Sequence, residues 1–251
     1  MHIRKMFGWA VMALSAFAVA EPAAAACTNA SFSGIYGVLA SGSTSTGIFG
    51  AGVFQIDSDG SGGLTGTGTQ SANGTIQTLT VTGTYSIAGD CTGAATFVDQ
   101  TSAVSHYNIV LDNANAEFEL IRTDTGYTES GEGYAQGVTV CGLTGKTKSF
   151  AKHVDGHEIA TPDTAVSVVG RLTLDGKGNA TATDTFSENG AISSHKLTGT
   201  YTANSNCTGS AQITYKSKTY NFVSVAVSAG KKLLVLETDT GTVMSGQAIA
   251  Q

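Results

Sequence analysis

Gly83-Thr84-Tyr85 leading into Asp90-Cys91-Thr92-Gly93 occurs a second time as Gly199-Thr200-Tyr201 leading into Asn206-Cys207-Thr208-Gly209, and this pair of stretches decides the fold. The shift between them is 116 residues (Tyr85 to Tyr201, Cys91 to Cys207), and it also carries Asp59-Gly60 onto Asp175-Gly176 and Asn73-Gly74 onto Asn189-Gly190. A shift of 115 carries Thr123-Asp124-Thr125-Gly126 onto Thr238-Asp239-Thr240-Gly241. A repeat of that period in 251 residues means a duplicated domain, each copy large enough for its own core.

Working outward from the repeated tyrosine, Leu79, Val81, Tyr85 and Ile87 alternate with Thr78, Thr80, Thr82 and Thr84. Alternation at period two gives a strand with one dry face and one wet face. Turn clusters such as Asp57-Ser58-Asp59-Gly60, Asn73-Gly74, Gly89-Asp90 and Asp124-Thr125-Gly126 cut each copy into about eight such runs, and no run has helical periodicity. Eight short antiparallel strands with short connections predict an all-β fold of two tandem eight-stranded up-and-down barrels, since closure removes exposed edges. Two β-sandwiches are the alternative. Gly83 and Gly199, inside strands, suit positions where a barrel strand bends sharply.

The first residues read as an export signal: a basic start (His2, Arg4, Lys5), an apolar stretch from Met6 to Ala20 and the small residues Ala23 to Ala26. The expected organisation is therefore a signal peptide over 1–26, a first barrel domain over 27–137 and a second over 138–251, with the mature chain secreted or periplasmic. Lipid anchoring through Cys27 is the weaker reading, because the aliphatic residue usual three positions earlier is missing. No later segment is long and apolar enough to span a membrane. Four cysteines allow three pairings, and the repeat favours Cys27 with Cys91 and Cys141 with Cys207, at separations of 64 and 66.

The pattern Cys-Thr-Asn-Ala-Ser-Phe-Ser-Gly-Ile-Tyr-Gly at Cys27–Gly37, followed by Asp-Gly, Asn-Gly and Gly-Thr-Tyr near a cysteine, resembles uncharacterised secreted bacterial proteins of tandem β-barrel type. The barrel plan resembles calycin and allene-oxide-cyclase barrels. The resemblance implies fold and export but no functional residues. The second copy departs at its start, where Cys141-Gly142-Leu143 has no matching aromatic-glycine strand.

A net charge of −6 argues against a nucleic-acid or anionic-membrane partner, since both require a basic face. No nucleophile elbow, phosphate loop or cofactor motif is present. His153-Val154-Asp155-Gly156-His157-Glu158 carries metal-binding residue types, but Asp155-Gly156 predicts a hairpin tip that turns the two histidines to opposite faces, so no metal is expected. Asp57–Gly62 lacks the distal glutamate of a calcium loop and reads as a turn. Arg122 follows Phe118 and Leu120 at period two, which places it on their face with Glu129 or Glu132 within reach; a partly buried pair of this kind can hold a polar head group. The second copy has Glu237, Met244 and Gln247 at those positions. His195 falls on the apolar face, as do Tyr85 and Tyr201. An eight-stranded barrel can hold one small molecule. Because His195, Leu197 and Ala203 replace Leu79, Val81 and Ile87, the second barrel is expected to be the roomier, with His195 orienting a small apolar ligand. The expected roles, in order, are a carrier of such a ligand, a structural or adhesive surface protein, and a cyclase- or isomerase-like enzyme.

Overall fold

The computed structural model describes residues 26–112, 116–137, 141–160 and 162–251; the export signal expected over 1–26 therefore lies almost wholly outside the described residues. The strands of the first half are β1 (Ser33–Thr44), β2 (Phe49–Asp59), β3 (Gly63–Ala72), β4 (Thr75–Ile87), β5 (Thr92–Asp99), β6 (Val104–Leu111), β7 (Glu117–Arg122) and β8 (Tyr127–Ala135). Those of the second are β9 (Lys148–Glu158), β10 (Thr164–Leu174), β11 (Asn179–Glu188), β12 (Ala191–Ala203), β13 (Thr208–Tyr215), β14 (Lys218–Val227), β15 (Lys232–Glu237) and β16 (Thr242–Ala250). Each set pairs antiparallel with its sequence neighbours, and β1 pairs with β8 and β9 with β16, closing two barrels. The sandwich alternative does not occur.

The tyrosine of the repeated Gly-Thr-Tyr motif latches the segment that leads into each barrel, 27–32 in the first and 141–143 in the second, which packs as a plug against the barrel core. Tyr85 donates its hydroxyl to the carbonyl of Phe32 at 2.8 Å, and Tyr201 donates to that of Leu143 at 2.9 Å. Phe32, with 1% of its surface exposed, packs on Tyr36, Tyr85 and Phe118 with ring centroids 4.8 to 5.1 Å away. The disulfides Cys27–Cys91 and Cys141–Cys207 tie the same plugs to the β4–β5 and β12–β13 turns. Cys91 and Cys207 sit in the left-handed region at φ 67° and 69°, a conformation set by the turns that the repeat shares. Each cross-link closes a loop long enough to stabilise by about 4 kcal/mol on the loop-entropy relation.

The glycines of the motif have a steric reason. A Cβ on Gly83 would lie 2.2 Å from the carbonyl oxygen of Thr96, and one on Gly199 2.0 Å from that of Gln212. Here strands cross too closely for any side chain. Asp59 and Asp175 are turn-formers: one carboxylate oxygen of Asp59 accepts from the amides of Ser61, Gly62 and Gly63, and that of Asp175 from Lys177 and Asn179.

Two expectations are corrected. The hairpin at Asp155-Gly156 does not form, because β9 pairs along its whole length with both β10 and β16. His153, Asp155 and His157 consequently share the outer face. No group of three metal-binding side chains is assembled among the described residues; His157 instead bonds Asp163 at 2.7 Å and stacks on Phe49 of the first barrel. The opening strand of the second copy, expected near 146–154, forms as β9; what is corrected is the expected lack of an aromatic residue in it. The common register pairs Tyr36 with Ile56 and Phe150 with Leu172, so β9 corresponds to β1 at a shift of 114, with fully buried Phe150 in the place of Tyr36.

The barrels touch along their sides. Val53 and Tyr134 of the first pack in one apolar cluster with Val227, Leu234 and Leu236 of the second. Ser71 donates its hydroxyl to the carbonyl of Thr242, Gln55 its amide to that of Asn206, and the Lys232 ammonium lies 3.3 Å from the Tyr134 ring centroid. This contact explains why 225–227 at the end of β14 and 233–236 of β15 are apolar on both faces.

Candidate functional site

The first barrel encloses a cavity of about 400 Å³ and the second one of only about 30 Å³, the reverse of the expectation. Register shows why. Ala40, Gly52 and Gln70 stand side by side across β1, β2 and β3, whereas Val154, Val168 and Phe186 occupy the same places in the second barrel. One row deeper, Val38, Phe54, Gly68 and Leu79 correspond to Lys152, Gly170, Asp184 and His195. The substitutions on β12 that were expected to open space are outweighed by larger residues on β9 to β11, which the repeat alone does not reveal.

The floor of the large cavity is apolar, with Phe32, Ile56, Ala95, Ile109 and Phe118 above the plug. Its mouth lies among the turns at the far end, where the Ser45 amide donates to the Gly126 carbonyl at 2.8 Å and joins the β1–β2 and β7–β8 connections. Ile48 and Tyr127 stand exposed at this rim.

Arg122 and Glu129 come together on the cavity wall. Arg122 Nη1 donates to Glu129 Oε2 at 3.1 Å and its Nε to Asp124 Oδ2 at 2.8 Å, while the guanidinium lies 3.5 Å from the Tyr127 ring centroid. Tyr107 donates its hydroxyl to Glu129 Oε1 at 2.7 Å. Burial, then Glu129, raises the Tyr107 pKa, so the phenol stays neutral. Burial pushes Asp124 up, but hydrogen bonds from His106 and Arg122 overcome it and hold the carboxyl near about 2. Glu132 is not part of this cluster; it faces outward and accepts from Tyr134.

The other candidate residues are placed elsewhere. Tyr85 and Tyr201 have their hydroxyls committed to the plugs. His195 points inward but is packed between Phe186 and Tyr215, at centroid distances of 5.1 and 3.9 Å, with Nε2 bonded to Ser193 at 2.9 Å and Nδ1 without a hydrogen-bond partner among the described residues. It has no ligand-sized space beside it.

A buried polar row in the second barrel went unnoticed in the sequence. Lys152 reaches over Gly170 to Asp184, with Nζ 2.6 Å from Oδ2, and Asp184 faces His195 on the next strand. Gly170 is required there, since a Cβ would lie 2.1 Å from Asp184 Oδ1. The signal was available: Asp184 interrupts the inward series Ala180, Ala182, Phe186. Glu237, at the place of Arg122, is also buried.

Burial, with Asp239 adding repulsion, raises Glu237 from 4.5 to about 8. A carboxyl that keeps its proton longer when folded stabilises below its unfolded value and loses that contribution as pH rises through the folded one. Melting temperature should therefore fall between pH 5 and 8.5, and Glu237→Gln should flatten the decline. An unchanged slope in the variant would assign the dependence to other groups.

These features define a tandem β-barrel protein with one hollow and one filled barrel. No family model and no curated relative matches the chain. Among solved structures it is similar to the isotype 1 transferrin binding protein B from serogroup B Neisseria meningitidis, at 8% identity and a TM-score of 0.37. That superposition covers 81% of this chain, which spans 64% of the other. At this identity and score it says nothing of what this chain binds.

Proposed function

We propose that the protein is an exported carrier whose first barrel binds one small, mostly apolar molecule. The observation that supports this reading most is the 400 Å³ cavity, within the range of small-molecule sites, with an apolar floor and a few convergent polar groups at its mouth. The calycin-like plan, in which a closed barrel holds its ligand along the axis, fits the same reading. Two disulfides suit folding in an oxidising compartment, outside the cytosol. Among the described residues no helix is long and apolar enough to cross a membrane. The carrier reading is preferred to a purely structural role because a barrel that only holds shape gains by filling its interior, as the second one does.

Titration with the uncharged fluorophore N-phenyl-1-naphthylamine tests this. Saturable, one-to-one enhancement is expected for the native chain. Ala72 faces inward near the mouth and is only half-buried, so Ala72→Trp should fold and lower the apparent affinity by about tenfold or more, the scale of one lost apolar contact area. Absence of saturable binding to the folded native chain would sink the carrier reading.

A further inference from the structure

We propose that the ligand of the first barrel is an uncharged amphiphile, an apolar chain or ring ending in a hydroxyl or carbonyl that lodges at the Arg122–Tyr107–Glu129 cluster. This rests on the carrier reading above and adds the chemistry of the head group. The mouth carries three carboxylates, Asp99, Asp124 and Glu129, against the single guanidinium of Arg122. His106, bonded to Asp124 at 2.7 Å, is the other ionisable partner of this cluster. An anionic head group brought to Arg122 would meet Glu129 and Asp124 already bound to it, so it would add repulsion without gaining a free cation. A cationic head group would in turn be placed against the guanidinium.

An uncharged oxygen escapes both penalties and still finds partners. Nε and Nη1 of Arg122 are engaged with Asp124 and Glu129, which leaves Nη2 as the edge of the fork that can donate to a ligand oxygen. The Tyr107 oxygen gives its proton to Glu129 and keeps its lone pairs for a ligand hydroxyl. The ion pair also holds both donors in place: Glu129 bridges Tyr107 and Arg122, and the Tyr127 ring supports the guanidinium face. Below this cluster the floor residues Phe32, Ile56, Ala95, Ile109 and Phe118 are apolar, and Gln70 on the wall already donates its amide to Gln77, so the polar end of a ligand is best met at the mouth. At about 30 Å³ for each water, the cavity holds about a dozen waters, which is space for a ten-carbon chain.

The test is displacement of bound N-phenyl-1-naphthylamine by 1-decanol, decanoate and decylammonium at pH 7.5. Partition into any apolar phase already favours the uncharged alcohol, so the variant comparison decides. Glu129→Gln removes one carboxylate at nearly constant size; its amide oxygen can keep the Arg122 bond, while its NH2 must donate to the Tyr107 oxygen and so reverses that bond. It should raise the affinity of decanoate relative to decanol by about fivefold, the scale of one charge contact near a protein surface, and lower that of decylammonium. If that variant does not fold, Asp124→Asn provides the same comparison at the second carboxylate bound to Arg122. A decanoate-to-decanol ratio unchanged by the substitution, or native binding in which either charged molecule exceeds decanol, overturns the proposal. So does a bound probe that none of the three displaces, which leaves the carrier reading standing. A probe that never binds removes both.

Discussion

Asp184→Ala should cost the second barrel about 3–5 kcal/mol, the loss expected when one partner of a buried ion pair is removed and the other stays behind. Asp184 is 1% exposed, and the Lys152 ammonium reaching it over Gly170 is itself largely buried. Without the carboxylate, Lys152 must either stay charged in a filled interior or give up its proton. Burial raises the Asp184 carboxyl and Lys152 opposes that shift, so the aspartate depends on the lysine as well. One Asp184 oxygen and Nδ1 of His195 have no hydrogen-bond partner among the described residues, so the row is a costly one. The double replacement Lys152→Met with Asp184→Leu should accordingly be near neutral or stabilising, since desolvation of both charges is avoided. Urea unfolding monitored separately for the two barrels, by a single tryptophan introduced into each, gives the comparison. A loss below about 1 kcal/mol in the single variant, within the range of exposed pairs, would show that water reaches the row.

The parts of this architecture that follow from short-range chemistry were legible in the sequence. Strand alternation at Leu79–Ile87, the Asn-Gly and Asp-Gly turns and the matched cysteine spacings each report a local constraint, and together they give barrel number and disulfide pairing. Asp155-Gly156 misled because a turn signal is a local preference. Two flanking strands supply backbone hydrogen bonds over the whole of Lys148–Glu158, and that outweighs it. The comparison of cavity size failed for a different reason. It considered one strand, whereas interior volume depends on rows that cross several strands, such as Ala40–Gly52–Gln70 against Val154–Val168–Phe186. Period-two placement set Arg122 on the inner face but left Glu129 and Glu132 both open as its partner; the register, which places Glu129 opposite Gly42, decides for Glu129. The contact between barrels also left a trace that can be read: Leu233-Leu234-Val235-Leu236 is apolar at every position, as a strand buried on both faces must be.

Gly42→Ala and Gly156→Ala should each destabilise their barrel by roughly 2–5 kcal/mol, at the upper end of overpacking effects and beyond an ordinary surface change. The two glycines occupy the same place in the two copies, on the strand that closes each barrel against its last. A Cβ on Gly42 would lie 2.0 Å from the carbonyl oxygen of Thr128, and one on Gly156 1.9 Å from that of Val243, residues that correspond at the shift of 115. Both obstacles are backbone atoms held in a ladder, so no side-chain rotation relieves them. The closing seam itself must open. Gly156 also has φ 150°, which adds strain for any L residue and makes its substitution the costlier of the two. Gly50→Ala is the internal control, because the nearest atom to its Cβ would be 3.8 Å away and its φ is not positive. It should change stability by less than about 0.5 kcal/mol or improve it slightly through the unfolded state. Equal losses at Gly42 and Gly50 would mean that lost backbone freedom, rather than contact at the seam, is what these glycines provide.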